Sequence, residues 1–158
     1  MSIFPTRILL ATDGSREAEL AATTAADLAK STGSELHVVY VGHMPPVFYE
    51  SPGAWALDPD LRGRMGERAE EGARTKLDEE VQRLRAAGGE VAGAHAKLGR
   101  PDAEIVRLAE ELGARLIVLG SRGLGPLRSA LMGSVSHSVI RHAHCPALVV
   151  RPEGEQAA

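Results

Sequence analysis

Cysteine is nearly absent from this sequence: Cys145 stands alone, which excludes an internal disulfide and any fold stapled by one. Aromatic residues make up 3% of the chain, so a core has to be built from Leu, Val, Ile and Ala instead. No apolar run approaches the roughly 18 residues that span a bilayer, and the start lacks the basic-then-apolar pattern of an export signal. The expectation is a cytoplasmic protein with no membrane partner. An excess of basic charge is missing as well. A net charge of −3 gives no general basic surface for neutralising phosphates, so nucleic acid is not an expected partner. Catalytic signatures are equally scarce. There is no Gly-x-Ser-x-Gly elbow, no Walker-type Lys-Ser/Thr after a glycine loop, and no Cys or Ser paired with His in a known pattern.

What the chain does have is alternation. At 158 residues, folding buries roughly 70% of the unfolded surface, enough for one continuous core. Short aliphatic runs (7–12, 35–41, 91–98, 115–119 and 147–150) are separated by helical patterns. The first helix, about 15–31, turns a mostly alanine face inward (Ala18, Ala21, Ala22, Ala25, Ala29), joined by Leu20 and Leu28. A Pro-rich loop over 43–59 precedes a long helix from about 60 to 87. Leu61, Met65, Ala69, Ala73, Leu77, Val81 and Leu84 recur there at helical spacing. Gly63, Gly66 and Gly72 soften its first half, each costing about 1 kcal/mol relative to Ala. Pro101 opens the next helix and Gly113 stops it, and a short helix is expected over 135–143.

Strand, helix, strand in repetition means parallel strands joined by right-handed crossovers. The runs 8–11, 36–41 and 116–119 are almost wholly apolar, as strands covered on both faces must be. The fold class is therefore α/β, a three-layer, doubly wound (Rossmann-like) parallel sheet. One domain is expected over residues 1–152, followed by a frayed polar tail over 153–158.

Sheets of this kind bind ligands beyond the carboxyl ends of their strands. Two segments leave such ends: Ala11-Thr12-Asp13-Gly14-Ser15, and Gly120-Ser121-Arg122-Gly123 running on to Gly133-Ser134-Val135-Ser136 at a helix start. The second suits phosphate. Glycines let backbone amides approach an anion, Ser134 and Ser136 carry hydroxyls, and a helix beginning there directs its positive end at the same place. Asp13 repels phosphate, so it either accepts from ribose hydroxyls or holds a metal that bridges to phosphate; capping the first helix is its structural alternative. Ser15 reads as a cap. His137, His142, His144 and Cys145 resemble a metal cluster on paper only, since the first two lie five apart on a short helix and point different ways.

Gly120-x2-Gly123-x9-Gly133-Ser134 resembles the ATP-binding signature of universal stress proteins. Residues 8–15 look like that family's opening strand, and 144–150 like its closing one. The resemblance implies five strands in the order 3-2-1-4-5, with the weak third strand at an edge. It implies ATP, or ADP or AMP, as ligand, with Mg²⁺ a candidate companion at Asp13. Thr12, Asp13 and Val41 would then line the adenosine side, with Ala11 standing where some relatives have proline. Leu119, Gly120 and Gly123 would flank ribose and phosphates, and Gly133, Ser134, Val135 and Ser136 would grip the phosphate chain, with Arg122 in reach or facing solvent. The edge strand Ala147, Leu148, Val149, Val150 would pair two copies into a homodimer. The implied function is a nucleotide-binding stress-response regulator, a homodimeric sensor or switch acting on an unidentified downstream protein. The alternatives are a slow Mg²⁺-dependent ATPase or nucleotidyl- or phosphoryl-transferring enzyme, and a scaffold that binds only proteins. Cyclic AMP is a variant ligand of the first reading.

Overall fold

The aliphatic runs become the strands of one sheet in a computed structural model that describes residues 1–44, 53, 58–122 and 132–153. In chain order the elements are β1 (Arg7–Thr12), α1 (Arg16–Thr32), β2 (Glu35–Gly42), α2 (Pro59–Ala86), β3 (Gly93–Leu98), α3 (Pro101–Leu112), β4 (Leu116–Gly120), α4 (Ser134–His142) and β5 (Ala147–Val150). All pairings are parallel and the order is β3-β2-β1-β4-β5, as expected. Val91 and Ala92 fall outside β3, although the Ala92 amide already donates to the Leu36 carbonyl at 2.8 Å.

Alternation along the central strands divides the core into two layers. Ile8, Leu10, Leu36, Val38 and Val118 face α1 and α2. Leu9, Val39, Ile117 and Leu119 face α3 and α4, against Ile105, Leu108 and Val139. Alanines on α1 bring that helix close to the sheet, and Ala18, Ala21, Ala22, Ala25 and Ala29 are all buried. Leu20 corrects the expectation of an inward leucine. It lies two residues, about 200° of helical turn, from Ala18, and is exposed. Leu28, beside the stripe, does pack against the core.

In α2 only the second half is anchored, through Ala73, Leu77, Glu80, Val81 and Leu84. A 28-residue helix is about 42 Å long, well beyond the span of the strands beneath it. Leu61, expected on the inward stripe, is accordingly exposed, and Met65 is half-buried. Among the described residues no helix is long and apolar enough to cross a membrane.

One polar group breaks the apolar layer beneath α2. Glu80 is 4% exposed, and its carboxylate accepts from Arg83 Nη1 at 2.9 Å; the same nitrogen reaches Glu19 of α1 at 2.7 Å. Burial raises the Glu80 pKa above the ordinary carboxylate value, against the pull of Arg83, and Glu19 and Asp13 add to the rise. The folded chain therefore holds this proton more tightly than the unfolded chain does. Its contribution to stability is complete below the unfolded value and disappears as pH rises through the folded one. Glu80→Gln, which removes the ionisation, is expected to raise the urea midpoint at pH 7 and to lose that advantage near pH 4. A lower midpoint at pH 7 would mean that the ionised pair is a net stabiliser.

Candidate functional site

The helix after β1 packs on one face of the sheet and the helix after β4 on the other, so a gap opens between their carboxyl ends. At that gap lies a cavity of about 440 Å³, within the ~300–1,000 Å³ range of small-molecule sites. It is lined by residues from six segments, Ala18 of α1 among them. From β1 and the turn after it come Ala11, Thr12, Asp13 and Ser15, and from the end of β2 come Val41 and His43. From β4 come Leu119, Gly120 and Arg122, from the start of α4 Gly133 to Ser136, and from the first turns of α3 Pro101 and Ile105. The candidate residues are therefore brought together, except Gly123, which lies outside the described residues, as does most of the 43–59 loop.

Local chemistry shapes each wall. Gly14 turns the chain at a φ of 78°, a left-handed conformation that glycine adopts freely. The Asp13 carboxylate accepts from the Ser15 amide at 2.9 Å, and Ser15 in turn caps α1 by accepting from Ala18 N at 3.2 Å. Capping thus falls to Ser15, while Asp13 secures the turn and lines the cavity. Opposite, the Ser121 carbonyl accepts from the Gly133 amide at 2.6 Å and from Ser136 Oγ at 3.0 Å. These bonds staple the end of β4 to the start of α4.

The staple uses the Ser136 hydroxyl. Ser136 is 3% exposed, and its hydroxyl donates to the carbonyls of Ser121 and Gly133, so its proton is committed within the protein. What α4 offers a ligand is the Ser134 hydroxyl and the first-turn amides of Ser134, Val135 and Ser136. Gly133, as N-cap, supplies no side chain to occupy those amides. The start of α3 is tied to α4 as well. Ser138 Oγ donates to Asp102 Oδ2 at 2.7 Å and Arg100 approaches the same oxygen at 2.9 Å. Chiefly through the Ser138 hydrogen bond, Asp102 is held below the usual carboxylate range, against the opposing effect of burial.

The lining is chemically mixed. Val39, Val41, Pro101, Ile105 and Leu119 give the lining apolar surface, while Gly120, Arg122, Gly133 and Ser134 bring donors to it. Ala18, Val39, Tyr40, His43, Pro101 and Ile105 line the cavity without being among the candidates that the sequence offers. His43 follows the carboxyl end of β2, a position the strand-end rule covers, whereas the α3 pair carries no local signal. Among the described residues, no group of three or more His, Cys, Asp or Glu is placed to hold a metal. His144 instead contacts Glu110 at 2.8 Å, and His142 Nδ1 lies 2.9 Å from the Ser138 carbonyl.

Comparison with known proteins places this geometry in context. The chain is 35% identical over 147 residues to universal stress protein YxiE of Bacillus subtilis, covering 92% of this chain and 98% of that one. The solved structure of UspA from Lactobacillus plantarum superposes with a TM-score of 0.75 at 27% identity, covering 95% of this chain and all of that one. A universal stress protein from Archaeoglobus fulgidus, solved in complex with dAMP, superposes with a TM-score of 0.56 at 25% identity over 95% of this chain and 99% of that one. Residues 5–151 match the sequence model of the universal stress protein family, and the chain belongs to that family.

Proposed function

We propose that the chain binds an adenine nucleotide in the β1–β4 cavity and acts as a cytoplasmic, homodimeric regulatory module. The observation that carries this reading is that one cavity combines apolar side chains with donors at the uncapped start of a helix. An adenine ring suits the first and a phosphate chain the second. The Archaeoglobus relative solved with dAMP supports the same ligand class. Asp13 and Thr12 would meet the ribose hydroxyls, with Val41 against the base. Leu119, Gly120 and Gly123 would flank the ribose and phosphates, and Gly133, Ser134 and the amides of Val135 and Ser136 would hold the phosphates. Asp13 also fits Mg²⁺, which takes one or two carboxylates and fills its remaining positions with phosphate oxygens and water. Pairing of two copies through β5 is supported by its place at the sheet edge and by the exposed Leu148 on it.

Calorimetry of the purified chain with ATP, ADP, AMP and cyclic AMP tests the reading. Micromolar affinity for at least one of them is expected, weakened about tenfold in Ser134→Ala through loss of a charge-assisted hydrogen bond. A ligand-free preparation that binds none of the four at millimolar concentration overturns the proposal. Asp13→Ala separates regulator from enzyme: a binding module loses affinity alone, an ATPase loses turnover.

A further inference from the structure

Among the described residues that line the cavity, Arg122 is the guanidinium and Asp13 the carboxylate. Just beyond the lining stands a second carboxylate, Glu17, in the first turn of α1. Its position is fixed from two sides. Gly120 packs so closely on Glu17 that an added Cβ would lie 2.8 Å from the Glu17 carbonyl carbon. Ser15, which caps the same helix, approaches the Arg122 carbonyl with its hydroxyl at 3.5 Å. Arg122 Nη2 and Glu17 Oε1 thus face each other at 4.0 Å, with side chains only 23% and 16% exposed. That separation lies outside the ~2.7–3.2 Å range of a hydrogen bond, so the pair attracts through space without a charge-assisted bond. Partial withdrawal from water makes the attraction stronger than it would be on the surface.

A phosphate oxygen entering the cavity can offer Arg122 what Glu17 does not, a hydrogen-bonded anion at close range. Glu17 does not become stranded when Arg122 turns away, because the positive end of α1 favours a carboxylate in its first turn. We propose that this pair grades the cavity's affinity by the number of phosphates on its ligand: Arg122 contacts the phosphates beyond the first, and Glu17 competes with them for the guanidinium. The first phosphate is served by the amides of α4 and needs no help from Arg122. The inference rests on the nucleotide reading above and names the charged pair that makes that site discriminate between ATP and AMP.

The test is calorimetry of the full chain and of Arg122→Gln, Arg122→Lys and Glu17→Gln with ATP, ADP and AMP, with melting temperatures recorded for each. Arg122→Gln is expected to weaken ATP about tenfold or more and AMP less than about threefold. Arg122→Lys keeps the charge and should preserve part of the ATP preference. Glu17→Gln should tighten ATP by about threefold and leave AMP unchanged, since it removes only the competitor. Raising salt should erode the ATP preference of the wild type more than that of Arg122→Gln. Equal loss for all three nucleotides in Arg122→Gln, or weaker ATP binding in a folded Glu17→Gln, overturns the proposal. A wild-type chain that binds none of the three overturns it together with the nucleotide reading. Binding with no phosphate-dependent change in either variant overturns the proposal alone.

Discussion

Gly120→Ala is expected to lower the stability of the chain by about 1–3 kcal/mol, as overpacking does, and to weaken adenine-nucleotide binding about tenfold or more. The added methyl group meets the Glu17 carbonyl carbon and Cβ at 2.8 Å and its carbonyl oxygen at 2.9 Å. These atoms belong to the helix backbone or the base of the side chain, so no rotamer change relieves the contact. The first turn of α1 must retreat from the end of β4. That turn carries Ser15 and Ala18 into the cavity wall, so one displacement damages both the packing and the site. Gly113→Ala serves as the control. Gly113 ends α3 at a φ of 65°, where any side chain is strained, and it is not among the residues lining the cavity. It should cost about 1–2 kcal/mol while leaving nucleotide affinity unchanged. Urea denaturation and calorimetry on both variants make the comparison. A Gly120→Ala variant as stable as wild type would show that β4 and α1 are not in the contact described.

The double requirement at Gly120 explains why that position stands out in the sequence. Glycine there answers to a backbone approach from α1 as well as to any ligand, and both demands leave the same residue at the same position. The fold was legible for a similar reason: runs such as Ile8–Ala11 and Leu116–Leu119 are apolar at every position, which only a strand covered on both faces requires. Where one helix residue has to be assigned to a face, pattern reading was weaker. Leu20 is apolar yet sits opposite the alanine stripe, and Leu61 lies on the stripe but on a part of α2 that extends past the sheet. Ser136 lines the cavity, but the bond from its hydroxyl to the Ser121 carbonyl, fifteen residues away, has no local signature in the sequence. The same holds for Glu80 and its bridge to Glu19 through Arg83. A glutamate at an inward helical position reads as a register error until the helix across from it supplies the partner.

The least foreseeable feature is a histidine pair between β2 and β3, and it carries the other large prediction. His37 Nδ1 and His95 Nε2 lie 3.1 Å apart with their rings stacked at 5.4 Å, so one proton is shared between two facing nitrogens. The other His37 nitrogen, Nε2, is buried and lies 3.5 Å from Glu35 Oε2. Burial first, then His37, then Lys97 hold the His95 pKa below the ordinary imidazole value of 6.5, with Glu111 of α3 opposing. The fold therefore favours neutral His95. Stability is complete above about pH 6.5 and falls as pH drops below it, because the unfolded chain takes up a proton that the folded chain resists. Gly93 permits the pair: a Cβ at that position would collide with His37 Nδ1 and lie 3.1 Å from His95 Nε2. Gly93→Ala is accordingly expected to cost about 1–3 kcal/mol at pH 7.5 by forcing the buried His37 ring aside, which for a chain of this size lowers the melting temperature by about 2–4 °C per kcal/mol. It should also lessen the decline between pH 7.5 and 5 by the part that His37 contributes, leaving the part due to burial. Thermal melts across that interval, on wild type and variant, read both effects. A wild-type melting temperature that stays level from pH 7.5 to 5 would show that folding does not disfavour the His95 proton, and a variant that follows the wild-type curve would show that His37 contributes nothing to that effect.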